Sequence, residues 1–264
     1  MFAGPLLGGA VMAAFSPPAV LAVNAATFFI AAVTVMRVPA AASPGRDQWS
    51  TRGLLPSITA GLSYARGAAG VRAVLVIVSA STLAYSGLFA VALPAFARAS
   101  GHGSLALGAL IACWGLGQLL GAISAGITGL PHRWGALIIG VALCEGAAFA
   151  VIGAAASVPV ACSLLAVLGF GVAYSSDVAL PAWIQISTPA GMLGRVNSLI
   201  SLPRAILPPV SLAVMGALAA ADTQLPFYLA SALMLLAGAV LALDPAARKL
   251  SIENRAPAGL SHPS

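Results

Sequence analysis

Long apolar runs separated by short polar stretches set the pattern of this chain. Eight can be marked: Met1 to about Phe15, Ala19–Met36, Ala73–Phe96, Leu105–Thr128, Gly135–Ala156, Pro159–Ile184, Val196–Ala219 and Pro226–Leu243. Crossing a hydrocarbon core about 30 Å thick takes about 20 apolar residues as helix. The first run is too short for that, and the other seven reach or approach it. The pattern predicts an all-α, polytopic transmembrane helix bundle with about eight hydrophobic segments.

Between the second and third runs lies the longest polar stretch, residues 38–71. Pro39, Ser43, Pro44, Gly45, Asp47 and Ser50 read as a linker. Leu54, Leu55, Ile58, Leu62 and Tyr64 then recur at roughly helical spacing, which predicts a short amphipathic helix on the membrane surface. Four regions follow: 1–37, the linker 38–71, a six-helix bundle over 72–243, and a tail over 244–264 that is polar and expected to be mobile.

Composition strengthens the membrane reading. The chain is 60% hydrophobic and 7% charged, against about 25% charged in soluble domains. It carries 28 glycines and 18 prolines, which inside apolar runs point to close helix packing and kinked helices. Gly4 and Gly8 are four apart, as are Gly117 and Gly121, the spacing that lets two helix backbones approach. Pro5, Pro94, Pro181, Pro203, Pro208 and Pro209 lie in or at the ends of spans.

The net charge of +6 does not form a nucleic-acid surface, because the basic residues stand singly between apolar runs. They sort by side. If every segment crosses, Arg37, Arg46, Arg52, Arg66, Arg72, Arg133, Arg195, Arg248, Lys249 and Arg255 share one face, and Arg98 is the basic residue of the other. Lys and Arg concentrate in cytoplasmic loops, so the C-terminus is expected in the cytoplasm. The first run lacks the basic start of a secretory signal, its first basic residue being Arg37. It reads as a helix joined part-way, and the chain is expected to be truncated at its N-terminus.

Ionisable groups inside spans are costly and therefore functional candidates. Three stand out: Glu145 near the middle of the fifth segment, and Asp177 and Arg204 toward the cytoplasmic halves of the sixth and seventh. Asp177 or Glu145 would take up and release a proton during transport, with Arg204 as partner or gate. If the sixth and seventh segments pack as an antiparallel pair, Asp177 and Arg204 come within reach of an ion pair that only fixes packing. Gln118, Gln185 and Asn24 suit hydrogen bonds between helices. Cys113, Cys144 and Cys162 each sit within an apolar run without metal or redox spacing, and read as buried small side chains. The phosphate-binding GxxxxGK[ST] pattern, HExxH and GxSxG do not occur. No enzyme and no cofactor is expected, and no aromatic cage or acidic cluster stands out that would select cations.

With these motifs the chain resembles the major facilitator superfamily of secondary transporters. Gly4-Pro5-Leu6-Leu7-Gly8-Gly9 looks like the GPxxGG element of that family's fifth helix. Residues 37–72 look like the linker between its two six-helix halves. Residues 126–135, which contain Arg133, are similar to a degenerate form of its short basic loop. Pro189–Leu199, with Gly194 and Arg195, looks like the start of the eleventh helix in the exporter branch that includes macrolide-efflux and enterobactin-export proteins.

The resemblance implies that the eight segments are family helices five to twelve, the first incomplete. Residues 1–37 are then the last two helices of the N-terminal bundle. It further implies a proton-coupled exporter (an antiporter) of the plasma (inner) membrane that moves a small amphipathic molecule or drug by alternating access. Gly4, Pro5, Gly8, Gly9, Arg133, Gly194 and Arg195 would serve conformational change, and Asp177 is favoured over Glu145 because its helix lines the family's cavity. The implied partners are membrane lipid, a small-molecule substrate, protons and the missing N-terminal half. The rival readings are a non-transporting interaction subunit or inactive remnant, and the membrane domain of a multi-subunit pump.

Overall fold

The computed structural model describes residues 17–37, 69–101, 103–129, 133–188 and 192–250. Every described element is helical. The chain divides into two compact units, Met1–Leu54 and Leu55–Ser264. In the first, the second apolar run forms helix α1 (Pro17–Arg37). The first apolar run, the GPxxGG residues Gly4, Pro5, Gly8 and Gly9, and the predicted amphipathic helix lie outside the described residues.

The second unit carries six helices long and apolar enough to cross a membrane. The first span, Gly70–Ala99, joins α2 (Ala69–Gly87) to α3 (Leu93–Ala99) through a π-helical turn at Leu88–Ala92. Helices α4 (Gly103–Thr128) and α5 (Trp134–Ala155) follow. The fourth span, Val158–Ile186, joins α6 (Val158–Val172) to α7 (Leu180–Ser187) through a longer π-helical stretch at Ala173–Ala179. Helices α8 (Leu193–Ala221) and α9 (Leu225–Leu243) complete the set. The prediction for these six segments holds closely. Ala73–Phe96 is observed as Gly70–Ala99 and Val196–Ala219 as Leu193–Ala221, and no end moves by more than three residues.

Both π-helical stretches have a local cause. Each stands just before a proline, Pro94 and Pro181. Proline has no N–H to donate to the carbonyl four residues back, and its ring crowds that carbonyl. The ladder slips by one residue instead: Leu93 N–H donates to the Leu88 carbonyl and Leu180 N–H to that of Ser175, each five residues back.

In the first span a second cause adds to the proline. The Ser211 hydroxyl of α8 donates to the Leu83 carbonyl at 2.7 Å and accepts from Gly87 N–H at 2.8 Å. It is thereby inserted between two groups that would otherwise bond to each other along α2. Ser211 is buried, so Ser211→Ala leaves that donor and acceptor without the bridge. A loss of about 1 kcal/mol is expected, read as a lowered unfolding midpoint in detergent, with Ser211→Thr retaining more stability than alanine. Equal midpoints for wild type and Ser211→Ala would show that the bridge contributes nothing.

The spans pack as a chain of neighbours. Helix α8 lies on α2, α2 on α9, α9 on α5, α5 on α6, and α6 on α4, which returns to the first span at α3. The tightest approach is between α4 and α6. A side chain at Gly117 would meet the Ala166 carbonyl, one at Gly121 the Phe170 carbonyl, and one at Gly169 the Trp114 carbonyl. The small-residue spacing seen at Gly117 and Gly121 is therefore a true backbone contact. Gly4 and Gly8 lie outside the described residues.

At one end of the unit several termini come together. Trp134, at the start of α5, stacks on Trp183 of α7, with ring centroids 4.4 Å apart and planes 1° from parallel. Arg72 and Asp244 pair at 3.6 Å, and Gly135 N–H donates to the Leu250 carbonyl at 3.1 Å. Here the expected mobile tail needs correction. Asp244 caps a short helix α10 (Pro245–Arg248) by accepting from Ala246 N–H at 2.9 Å, and Ala247 is buried against the starts of α2 and α5. The tail is thus held in place as far as Leu250, and residues 251–264 lie outside the described residues.

Candidate functional site

Two pairs of side chains at a spacing of four build the site. On the first span Tyr85 and Phe89 share a face, their rings stacked at 5.9 Å and 29°. On α5 Glu145 and Phe149 do the same, and the Phe149 ring meets Tyr85 edge-on at 5.4 Å. Trp114 of α4 completes the cluster, 5.4 Å from Tyr85 and 4.9 Å from Phe89. Tyr85, Ser86, Phe89, Ala90, Trp114 and Val172 line a wide-open groove of about 540 Å³. Three rings from two spans line one groove, and only the i, i+4 spacing of Tyr85 and Phe89 was visible in advance.

Glu145 stands behind Tyr85. It is 3% exposed, and the group that acts on it is the Tyr85 hydroxyl. The two oxygens approach without closing a hydrogen bond. Both the Tyr85 hydroxyl and Glu145 Oε2 are buried with no partner among the described residues. No Lys, Arg or His of the described residues acts on Glu145. Its helix also borders a second cavity of about 380 Å³ between α5 and α6, lined by Glu145, Cys144, Val141, Phe170, Gly171 and Tyr174 among others.

Asp177 and Arg204 are placed differently. Both are exposed on their spans. Arg204 is near enough to act on Asp177, but among the described residues the two form no ion pair within 4.0 Å. Their helices do not pack as the close antiparallel pair that such a bond requires, since α8 packs on α2 and not against α6. Asp177 sits in the π-helical stretch before Pro181, so that proline leaves the Asp177 carbonyl without its usual helical donor. Pro203, Pro208 and Pro209 all lie inside the continuous helix α8.

The other sequence candidates scatter. Arg133 is exposed just ahead of α5, and Gly194 and Arg195 are exposed in the first turn of α8. Arg195 donates to the Met192 sulfur at 3.7 Å. None of the three lies at the aromatic groove. Gln118 is half-buried and Gln185 exposed. Cys113 and Cys162 are neighbours across the α4–α6 interface, whereas Cys144 is exposed. The reading of all three thiols as buried is corrected: Cys113 and Cys162 are half-buried, and Cys144 is exposed while its neighbour Glu145 is buried.

Six long apolar helices with a polar group buried among them describe a multi-pass membrane protein. Comparison with known protein families, curated proteins and solved structures finds no match.

Proposed function

We propose that this chain is part of a secondary active transporter of the plasma membrane that exports a small amphipathic molecule by alternating access, driven by protons. The observation that carries this reading is the aromatic groove of about 540 Å³ backed by the unpartnered acid Glu145. Concave apolar and aromatic surfaces with a few polar groups are where drug-sized ligands bind. Buried ionisable groups in spans mark substrate and proton paths.

Two further features support it. The π-helical turns at Leu88–Ala92 and Ala173–Ala179 interrupt two of the three spans whose residues line the groove, and such turns are frequent at functional sites and at places where helices bend. The bundle of 72–243 accords with a transporter half of major-facilitator type, working with a complementary helical bundle. Glu145 takes the proton-coupling role in this reading, and the exposed pair Asp177 and Arg204 faces the aqueous path. Exposed charge on a spanning helix is stable only against water or protein.

Dye extrusion tests the reading. The chain is expressed, alone and together with a complementary N-terminal bundle of the same transporter class, in cells stripped of their own exporters. With the complementary bundle, cells are expected to retain less dye. Trp114→Leu or Glu145→Gln, at equal membrane expression, is expected to restore retention. Unchanged retention across a broad dye panel, with the protein inserted and folded, would favour a non-transporting membrane subunit.

A further inference from the structure

Two of the three cysteines meet, although a whole span, α5, separates them along the chain. Helices α4 and α6 run parallel, because Gly117 faces Ala166 and, one turn on, Gly121 faces Phe170. One turn earlier on the same stripe, that register sets Cys113 of α4 beside Cys162 of α6. Cys113 is also the group that acts on Cys162. Both thiols are free and half-buried.

The backbones are close enough to be bridged. A Cβ on Gly117 would lie 3.0 Å from the Ala166 Cα, and one on Gly121 would lie 3.0 Å from the Phe170 Cα. A disulfide asks for Cα atoms about 4.4–6.8 Å apart, and helices this close offer such separations along their contact stripe. The helices begin at Gly103 and Val158, at the end of the unit opposite Trp134. Cys162 lies about one turn inside α6. On the positive-inside reading that end faces away from the cytoplasm, where disulfides persist.

We propose that Cys113 and Cys162 are a redox modification site, at which a lipid-soluble two-electron oxidant joins α4 to α6 by a disulfide. With iodine as the oxidant, one sulfur takes an iodine atom while its proton and an iodide ion leave. The second sulfur then displaces the bound iodine as iodide, forms the S–S bond and releases its own proton. Two thiols are oxidised, one iodine molecule is reduced to two iodide ions, and two protons leave. The bond closes a loop around α5 and holds the interface packed by Gly117, Gly121 and Gly169. It also ties down Trp114, which follows Cys113 on α4 and forms part of the aromatic groove. The bond needs only this packing, whether or not the chain transports.

The test treats the full chain, in lipid nanodiscs holding one chain each, with a limiting amount of iodine. Peptide mass spectrometry then reads which cysteines are joined. The peptides holding Cys113 and Cys162 are expected to appear linked, lighter by two hydrogens and separable by dithiothreitol, with Cys144 unpaired. The oxidised protein is expected to unfold at a midpoint about 5 °C higher by tryptophan fluorescence, since the closed loop restrains the unfolded chain. Cys113→Ser is expected to lose both the linked peptide and that rise.

Separate peptides in iodine-treated wild type, with Cys113 and Cys162 free or oxidised singly, would overturn the proposal, and that result needs no variant to fold. A linked pair that includes Cys144 would do the same. Linked Cys113 and Cys162 with an unchanged unfolding midpoint would overturn the hold on the α4–α6 interface.

Discussion

Replacing Gly117 by leucine is expected to break the packing of α4 against α6 and to destabilise the second unit by about 3 kcal/mol or more. The interface admits no side chain there, because a Cβ on Gly117 collides with the Ala166 carbonyl. Overpacking usually costs about 1–3 kcal/mol when neighbouring side chains can yield. Here the neighbour is backbone, and Gly121 and Gly169 repeat the contact along the same interface, so relief at one position strains the next.

Membrane helices have no hydrophobic gain to offset a lost contact, since lipid is as apolar as the partner helix. Two glycines supply the control. Gly108 and Gly126 lie on the same helix with open space around the site of a Cβ, and alanine at either should leave stability unchanged or slightly raised. The readout is thermal reaction of the thiols with a maleimide dye. The half-buried Cys113 and Cys162 lie at this interface, so in a Cys144→Ser background its opening raises their reaction. A Gly117→Leu protein with the wild-type reaction midpoint would refute the close-approach account.

Glu145→Met is expected to move stability and function in opposite directions. Methionine fills a similar volume without a carboxyl. A buried polar group without its partners costs about 1–3 kcal/mol, and replacing such groups by apolar ones is often neutral or stabilising. The variant should therefore unfold at the wild-type temperature or above it. Transport should fall steeply. Proton transfer by a positioned side chain contributes about 100-fold or more, and methionine carries no proton. A variant that loses stability and activity together would show Glu145 to be a packing residue. Unchanged extrusion would return the coupling role to Asp177. The exposed Asp177, with Arg204 acting on it, resembles a solvated surface pair more closely and should tolerate asparagine with little change in stability.

The spans were legible because crossing a bilayer is a local property. Whether about 20 consecutive residues prefer hydrocarbon to water is settled by their own side chains, and Leu105–Thr128 or Pro226–Leu243 needs no partner to declare itself. The prolines were equally local in effect, since Pro94 and Pro181 act on carbonyls four residues away. The spacing of Gly117 and Gly121 marked a packing stripe, though not its partner.

Other features depended on which helix faces which. In an apolar segment nearly every face is apolar, so periodicity carries almost no information about orientation. Sequence could not show that Glu145 is buried while Cys144 beside it is exposed, or that Ser211 inserts into a helix 124 residues earlier in the chain. Three rings became one groove wall only when α4 was laid against the first span. The same packing left Asp177 and Arg204 exposed and without a closed ion pair. What the sequence by itself determined is the position of the six long apolar helices of the second unit and, at Pro94 and Pro181, where the helical ladder slips, because transfer free energy and backbone stereochemistry act within a segment. What only the tertiary structure decided is which acid is buried without a partner and which aromatic residues meet in front of it, because shape and hydrogen bonding between segments choose among faces that hydrophobicity leaves equivalent.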